Sequence, residues 1–194
     1  IGLKIDYLNQ YYLKKLNKVN KIKFEDQKNL DVTSDFTKIS KFKNYDQNFK
    51  NYKYFLNRYF KHPIYKYHLF IVYEKDRIKN FLVIRLVKFR NKKVIRVVDI
   101  GNINLIKIFK KNFFFHLINL FKANHIDFIN FGLKRLTIKK IGLKLRKNEL
   151  IPHHFEPYEE KNIDVMFSYI SKDRNFYVFK GDSDLDRPNR INNV

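Results

Sequence analysis

The spacing of apolar side chains along this chain predicts a helix followed by a sheet. Residues 46–60 place aromatic side chains at helical intervals, with Asp46 as a candidate N-cap and Pro63 as the stop. Three segments rich in β-branched and aromatic residues follow, and short polar turns join them into a predicted antiparallel meander. These strands are expected at 66–74, 80–89 and 92–100.

The pattern then changes to a long amphipathic helix and returns to a strand. Residues 102–124 carry apolar side chains three and four positions apart, which predicts one helix capped by Asn102 or Asn104. A strand is predicted over 125–131, and the helical crossover should make it parallel to the strand ending at Ile100. The remaining predicted elements are a short helix over 133–141 and a hairpin with strands over 164–170 and 175–180.

The beginning of the chain has weak periodicity. A helix is one interpretation of residues 4–16, and residues 25–40 are interpreted as a loop. The predicted fold class is α/β of the mixed (α+β) kind, with a largely antiparallel twisted sheet flanked by helices. We expect an irregular N-terminal segment over 1–45 that is the remnant of an upstream module, a domain over 46–190 and a tail over 191–194.

Composition is that of a globular chain. Its 194 residues are 44% apolar and 17% aromatic, enough to bury a sizeable core. No apolar run approaches the roughly 18 residues of a membrane span. Cysteine is absent, which excludes disulfides and fits a cytoplasmic location. The only methionine is Met166, so we expect the natural start upstream of Ile1.

The net charge of +22 has two interpretations. One is a nucleic-acid partner, because lysine and arginine neutralise phosphates. The other is codon usage in an AT-rich genome, which fits 31 lysines against 10 arginines and a single alanine. Residues 51–100 carry 13 cations and 3 anions, whereas residues 151–194 carry 6 and 8. Because no RNP, KH or zinc-finger signature accompanies this charge, a basic RNA-binding or ribosomal protein is an alternative that we do not favour.

Several stretches of the sequence resemble a known family. The order of elements, with "VIRVVDIGN", "HIDFINFGL", "GLKLRKNELIPHHFEPY" and the ending "KGDSDLDRPN", resembles the GNAT (acyl-CoA N-acyltransferase) superfamily. The similarity is closest to GNAT-like proteins of bacterial surface-polysaccharide gene clusters, which end in a GD-D-DRPN signature. It covers residues 45 to 190. The resemblance implies an acyltransferase with acetyl-CoA or another acyl-CoA as donor. It also implies a small polar acceptor, such as a nucleotide-linked amino-sugar.

One junction departs from the family pattern. GNAT members hold the pyrophosphate of coenzyme A with a glycine-rich loop before the long helix, through backbone N–H groups and the helix N-terminus. Here the junction is "DIGNINLI", with a single glycine. A different acyl carrier, or a catalytically inactive GNAT-like scaffold beside another domain, is therefore the alternative. The resemblance places cofactor binding at Gly101, Asn102, Ile103 and Asn104.

Asp99 is the first candidate for the base that acyl transfer to an amine requires. It ends the central strand, where an apolar setting would raise the pKa of its carboxyl. The alternative is that Asp99 caps the next helix or pairs with a Lys or Arg. The loop "IPHHFEPY" offers imidazoles as bases and a tyrosine that could protonate a thiolate; packing in a rigid loop is the alternative there. These further candidates are His153, His154, Glu156 and Tyr158.

The acidic stretch "DSDLD" copies three ligand positions of a calcium loop. Arg187 stands where that loop needs glycine, and Asn193 stands where it needs glutamate, so no metal site is predicted. The stretch is interpreted either as a turn tied by Asp–Arg hydrogen bonds or as a binding site for polar groups of the acceptor. The residues concerned are Asp182, Asp184, Asp186 and Arg187.

Overall fold

The computed structural model describes residues 4–7, 9–15, 29–45, 50–89, 92–145, 166–170 and 176–179. They form a mixed, mostly antiparallel sheet flanked by short helices, which confirms the predicted fold class. The strands are β1 (Lys4–Tyr7), β2 (Asn9–Lys14), β3 (Leu30–Thr33), β4 (Tyr67–Glu74), β5 (Arg77–Phe89), β6 (Lys92–Ile100), β7 (His125–Phe131), β8 (Lys144–Leu145), β9 (Met166–Tyr169) and β10 (Val178–Phe179). The helices are α1 (Tyr52–Phe55), α2 (Lys111–Leu120) and α3 (Arg135–Lys140), with a π-helical turn at Leu56–Phe60 and 3-10 helices at Phe36–Lys41 and Ile103–Ile108.

Within the described residues, the main sheet has the order β3-β4-β5-β6-β7-β2-β8, and β10 also pairs with β7. Strands β4, β5 and β6 form the predicted antiparallel meander. Lys75 and Asp76 make the tight turn between β4 and β5, both at positive φ, a conformation that matches the twist of a hairpin. Strands β6 and β7 are parallel, which confirms the prediction from the helical crossover.

The beginning of the chain contributes strands to this sheet, which corrects two predictions. Residues 4–16, interpreted as a helix, contain β1 and β2, and β2 lies between β7 and β8. Residues 25–40, interpreted as a loop, contain β3 and most of a 3-10 helix. Tyr11 and Leu13 are buried in the core, so tertiary pairing overrides the weak local pattern. Strands from before and after residue 45 therefore pair in one sheet.

The first α-helix is shorter than the helix predicted over residues 46–60. Helix α1 begins at Tyr52, and Asn51 caps it by accepting the N–H of Tyr54 at 3.0 Å. The π-helical turn continues the segment, closed by the N–H of Lys61 donating to the carbonyl of Leu56 at 2.9 Å. The predicted cap, Asp46, lies outside the described residues.

The long helix predicted over 102–124 is divided. Phe109 is extended, with φ −77° and ψ 96°, and separates the 3-10 helix from α2. Asn102 caps the first part, as predicted, by accepting the N–H of Asn104 at 2.9 Å. Both parts bury apolar side chains in the same core, so their spacing alone does not reveal the break.

The predicted C-terminal hairpin is wrong for the described residues. Strand β9 pairs with β1 in a separate two-stranded sheet, whereas β10 pairs with β7 in the main sheet. Each segment is rich in apolar and aromatic residues, as a hairpin strand would be, but its partner is distant in sequence. Composition predicts a strand but does not identify the strand that pairs with it.

Two apolar layers cover the two faces of the sheet. Helix α2 buries Phe114, Leu117 and Ile118 in the first layer. The second layer, on the opposite face, contains Phe36, Phe55 and other aromatic side chains from the segments before β4. The end of β6 therefore lies between two packed layers, which sets the environment of its polar side chains.

Candidate functional site at the fork between β6 and β7

Strands β6 and β7 diverge and form a fork. They pair from Val94 opposite His125 to Val97 opposite Phe128, and then both continue for three residues without pairing with each other. We use "fork" for the space between residues 98–100 of β6 and residues 129–131 of β7. A gap between parallel strands can admit a ligand, so its contents decide what the site can do.

Strand β10 lies inside the fork. A strand has two edges, and β2 pairs along one edge of β7 from Lys14 opposite His125 to Asn9 opposite Asn130. Strand β10 pairs with β7 at Asn130 and Phe131, so it must use the other edge. Strand β6 pairs along that same edge from His125 to Phe128. The Phe179 ring is buried there and stacks on Phe128, with 5.8 Å between the ring centroids. The chain itself fills this part of the gap.

Asp99 is at the end of β6, where the sequence predicts it, and it is fully buried. Its carboxylate accepts hydrogen bonds from Lys50 Nζ at 2.9 Å and from the Tyr59 hydroxyl at 2.6 Å. The Tyr54 hydroxyl donates to it at 3.4 Å, and the N–H of Ile100 donates at 2.8 Å. These donors stabilise the ionised carboxylate and surround it. The ion pair with Lys50 is one of the alternatives that the sequence left open.

Short segments before β4 carry the partners of Asp99. Tyr54 lies on α1, and Tyr59 lies on the π-helical turn that follows. A π turn rotates the side chains after it relative to an α-helix, and such turns are frequent at functional sites. Nothing in the sequence distinguishes the π turn from an α-helical one, so sequence reasoning missed both tyrosines.

The Lys50 side chain links Asp99 to β10. Its ammonium lies 4.7 Å from the centroid of the Phe179 ring, close enough for a cation–π contact. The Lys50 side chain has no exposed area. A buried ammonium needs a carboxylate partner, and Asp99 provides it. Lys50, Asp99 and Phe179 together close the fork.

The backbone N–H groups expected to bind a pyrophosphate already have acceptors. The N–H of Gly101 donates to the carbonyl of Phe81 at 2.9 Å, and the N–H of Asn102 donates to Asn80 Oδ1 at 2.9 Å. The N–H of Asn104 donates to Asn102 Oδ1 at 2.9 Å. Three of the four N–H groups expected to bind a pyrophosphate therefore already donate a hydrogen bond. The fourth residue, Ile103, also interacts within the chain. In this structure the N–H groups of Gly101, Asn102 and Asn104 therefore donate within the chain.

The packing of the loop fixes this arrangement. Asn80 Nδ2 also donates to the carbonyl of Asn102 at 2.8 Å, so the Asn80 amide bonds both sides of the Asn102 backbone. A Cβ at Gly101 would lie 2.5 Å from the Phe81 ring, which explains the glycine. The loop is a packed connection between β6 and the 3-10 helix.

A row of polar side chains crosses the sheet below the fork. Four polar residues lie opposite one another in adjacent strands and therefore share one face of the sheet. They are Arg85, Arg96, Asp127 and Tyr12. Arg96 donates to the Asp127 carboxylate at distances of 2.8 to 3.2 Å, and both side chains are fully buried. Charged residues inside the apolar strands "VIRVVDI" and "HIDFINF" are the sequence signal that could have found this pair.

Asn130 is the polar residue of the fork that lacks partners among the described residues. Its side chain is buried, and neither Oδ1 nor Nδ2 has a hydrogen bond there. A buried amide left without partners costs about 1–3 kcal/mol. Asn130 is opposite Phe179 in β10, so its amide lies beside that ring on the same face of the sheet, where it could bind a carbonyl or an amine.

Most other predicted site residues lie outside the described part of the chain. The first group is the imidazole, carboxylate and tyrosine cluster, namely His153, His154, Glu156 and Tyr158. The second is the acidic stretch with its arginine, namely Asp182, Asp184, Asp186 and Arg187. Their roles stay predictions.

The described residues contain no group of three or more His, Cys, Asp or Glu side chains that could hold a metal ion. None of the described helices is long and apolar enough to cross a membrane. No protein-family model, curated protein or solved structure matches this chain significantly.

Proposed function

We propose that this chain is a GNAT-like module that serves as a structural and ligand-binding unit and does not transfer acyl groups from coenzyme A. The observation that carries the proposal is the occupation of the fork by β10. In the family that the sequence resembles, the active cleft opens at the end of the central strand. Here that place holds Phe179 and the Lys50–Asp99 ion pair.

The hydrogen bonds of Asp99 support the same proposal. A general base must be within hydrogen-bond reach of the proton that it removes. The Asp99 carboxylate already accepts from Lys50, Tyr59 and the N–H of Ile100, and it has no exposed area. Successive N–H groups of a strand point to opposite edges. The N–H of Gly101 points to β5, so the N–H of Ile100 points into the fork, where the Asp99 carboxylate accepts its hydrogen bond.

The occupied loop also argues against coenzyme A. Anion binding at such a junction uses backbone N–H groups that have no other acceptor. At Gly101, Asn102 and Asn104 those groups donate within the chain. We infer that the module acts beside another domain, in the cytoplasm, and binds a small polar ligand.

Acyl transfer to the amine or hydroxyl of a polar acceptor, such as an amino-sugar, is the second candidate function. The unpartnered amide of Asn130 favours it, because Nδ2 could donate to a thioester carbonyl oxygen in the fork. The acceptor would attack the carbonyl carbon, the carbon–sulfur bond would break, and the thiolate would take a proton. The base would come from His153 or His154 and the proton from Tyr158, while the acidic stretch would bind the acceptor.

An assay of thiol release decides between these functions. The purified chain is incubated with acetyl-CoA or with acetyl-pantetheine, which lacks the pyrophosphate, and with a set of amino-sugars. The proposal predicts no thiol release above the uncatalysed rate from either thioester. Circular dichroism confirms that the chain is folded.

Turnover would contradict the proposal and support acyl transfer. In that case Asn130→Ala should lower the rate about 100-fold to 1000-fold, as expected for the loss of one oxyanion donor. Asn119→Ala is the matched control, because Asn119 is exposed on α2. Equal rates for both variants would exclude Asn130 from the reaction.

A further inference from the structure

A cleft of about 1140 Å³ lies beside the β4–β5 hairpin, outside the fork. The hairpin forms one wall, and the end of the 3-10 helix Phe36–Lys41 with the residues after it forms the other. Its lining is strongly basic, with Glu74 and Asp76 as its acidic members. The cations are Lys38, Lys41, Lys43, Lys75, Arg77 and Lys79.

Ion pairs neutralise only part of this charge. Lys38 pairs with Asp31 at 2.7 Å, and Lys79 pairs with Glu74 at 2.6 Å. The other four cations are exposed and have no ion-pair partner among the described residues. These four, which we call the cleft cations, are Lys41, Lys43, Lys75 and Arg77.

The backbone that carries the cleft cations is held in place. Phe42, between two of them, is buried, and its ring packs edge-on against Phe81 with centroids 5.2 Å apart. Lys75 is in the tight turn of the hairpin, and Arg77 begins β5. A ligand therefore meets cations whose main chain is already ordered, which lowers the entropy cost of binding.

The cleft is connected to the loop after β6. Asn44, which lines the cleft, accepts a hydrogen bond through its carbonyl from Asn102 Nδ2. Because β4 ends and β5 begins where β6 ends, the cleft and the fork open at the same end of the sheet. A ligand with its phosphates in the cleft can extend its other end toward the loop.

We propose that this cleft binds the diphosphate of a nucleotide-linked ligand. Several cations confined to one cleft match a compact anion, whereas a nucleic-acid strand needs a stripe of charge that follows its backbone. The aromatic side chains of the lining, Phe42 and Tyr73, are buried and half-buried, so the cleft would hold its ligand mainly through the phosphates. The volume is slightly above the usual range for small-molecule pockets, which leaves room for a sugar. The proposal rests on the ligand-binding function above and names its ligand class.

Calorimetric titration of the full chain with inorganic pyrophosphate, UDP and coenzyme A tests this site. The test variant is Lys41→Gln/Arg77→Gln. The control is Lys139→Gln/Lys140→Gln, which removes the same charge from exposed positions of α3. We expect saturable binding of pyrophosphate and of UDP with one site per chain. The test variant should weaken it about tenfold or more, and the control should leave it within about twofold.

Three results would overturn the proposal. Equal weakening in both variants would show a diffuse effect of net charge, and no saturable binding of pyrophosphate or UDP would remove the site. Tighter binding of a short RNA, lost equally in both variants, would favour the nucleic-acid interpretation. If coenzyme A binds more tightly than UDP and the test variant loses it, the diphosphate site stands but belongs to an acyl donor. In that case coenzyme A is the ligand of the cleft, and the thiol-release assay decides whether the function proposed above also fails.

Discussion

The substitution Asp99→Asn tests the buried ion pair of the fork. It keeps the shape of the side chain and removes its charge, so Lys50 stays buried beside a neutral amide. Lys50 and Asp99 have no exposed area, and their contact is 2.9 Å long. Breaking a buried pair by neutralising one partner costs about 3–5 kcal/mol, because the other charge is left without compensation. We expect a cost in this range, since Tyr59 donates to Oδ2 whereas Lys50 and the N–H of Ile100 donate to Oδ1, so the single amide oxygen cannot keep all of these donors.

Equilibrium unfolding in urea measures this cost. With a slope of about 2 kcal/mol per molar urea, the midpoint should fall by roughly 2 M. Asp31→Asn is the matched control, because Asp31 forms a similarly short pair with Lys38, at 2.7 Å, whose side chains are 30% and 40% exposed. An exposed pair contributes about 0–1 kcal/mol, so the control should lose less than about 0.5 M.

A double-mutant cycle separates the ion pair from general damage to the core. Lys50→Met and Asp99→Asn together remove both charges, so the double variant should lose about 2 kcal/mol less than the sum of the single variants. Additive losses would refute the reasoning. So would an Asp99→Asn variant no less stable than Asp31→Asn.

Two further predictions concern the loop and a histidine. Gly101→Ala should destabilise the chain by about 1–3 kcal/mol, because its Cβ would meet the Phe81 ring, which is packed between Phe42 and Phe55; an unchanged thermal midpoint would contradict this. Burial lowers the pKa of His116 below 6.5, so the unfolded chain binds the proton more readily. Stability should therefore fall as the pH drops below about 6.5, and His116→Gln should reduce that slope in urea titrations between pH 5 and 7.5. An unchanged slope would contradict the burial of this ring.

The central sheet could be predicted because its strands carry their own signal. Strands β4 to β7 are rich in β-branched and aromatic residues, and the crossover rule gives the parallel pair. Strands β2 and β10 could not be placed, since their partners are distant in sequence and their own alternation is short. The break at Phe109 also escaped prediction, because apolar side chains continue on both sides of it.

The candidate site was predictable only in part. The position of Asp99 follows from the strand pattern. The sequence also shows that the loop over 101–104 has one glycine, Gly101, where the family that it resembles has several. The partner of Asp99 could not be predicted, because Lys50 is 49 residues away and is one of 31 lysines. Its tyrosine partners depend on a π turn that has no sequence signature. Long-range contacts of common residue types need the fold before they can be recognised.

Calorimetric titration with acetyl-CoA and acetyl-pantetheine tests the central claim most directly. The account predicts no measurable binding of acetyl-pantetheine to the chain, and none of acetyl-CoA to the Lys41→Gln/Arg77→Gln variant, because β10 and the Lys50–Asp99 pair fill the fork and the loop offers no pyrophosphate site. Micromolar binding of both, with similar affinity, would show that the fork opens for an acyl group. Tighter binding of acetyl-CoA that the Lys41→Gln/Arg77→Gln variant retains would show that the loop holds the pyrophosphate. Either result would contradict the account.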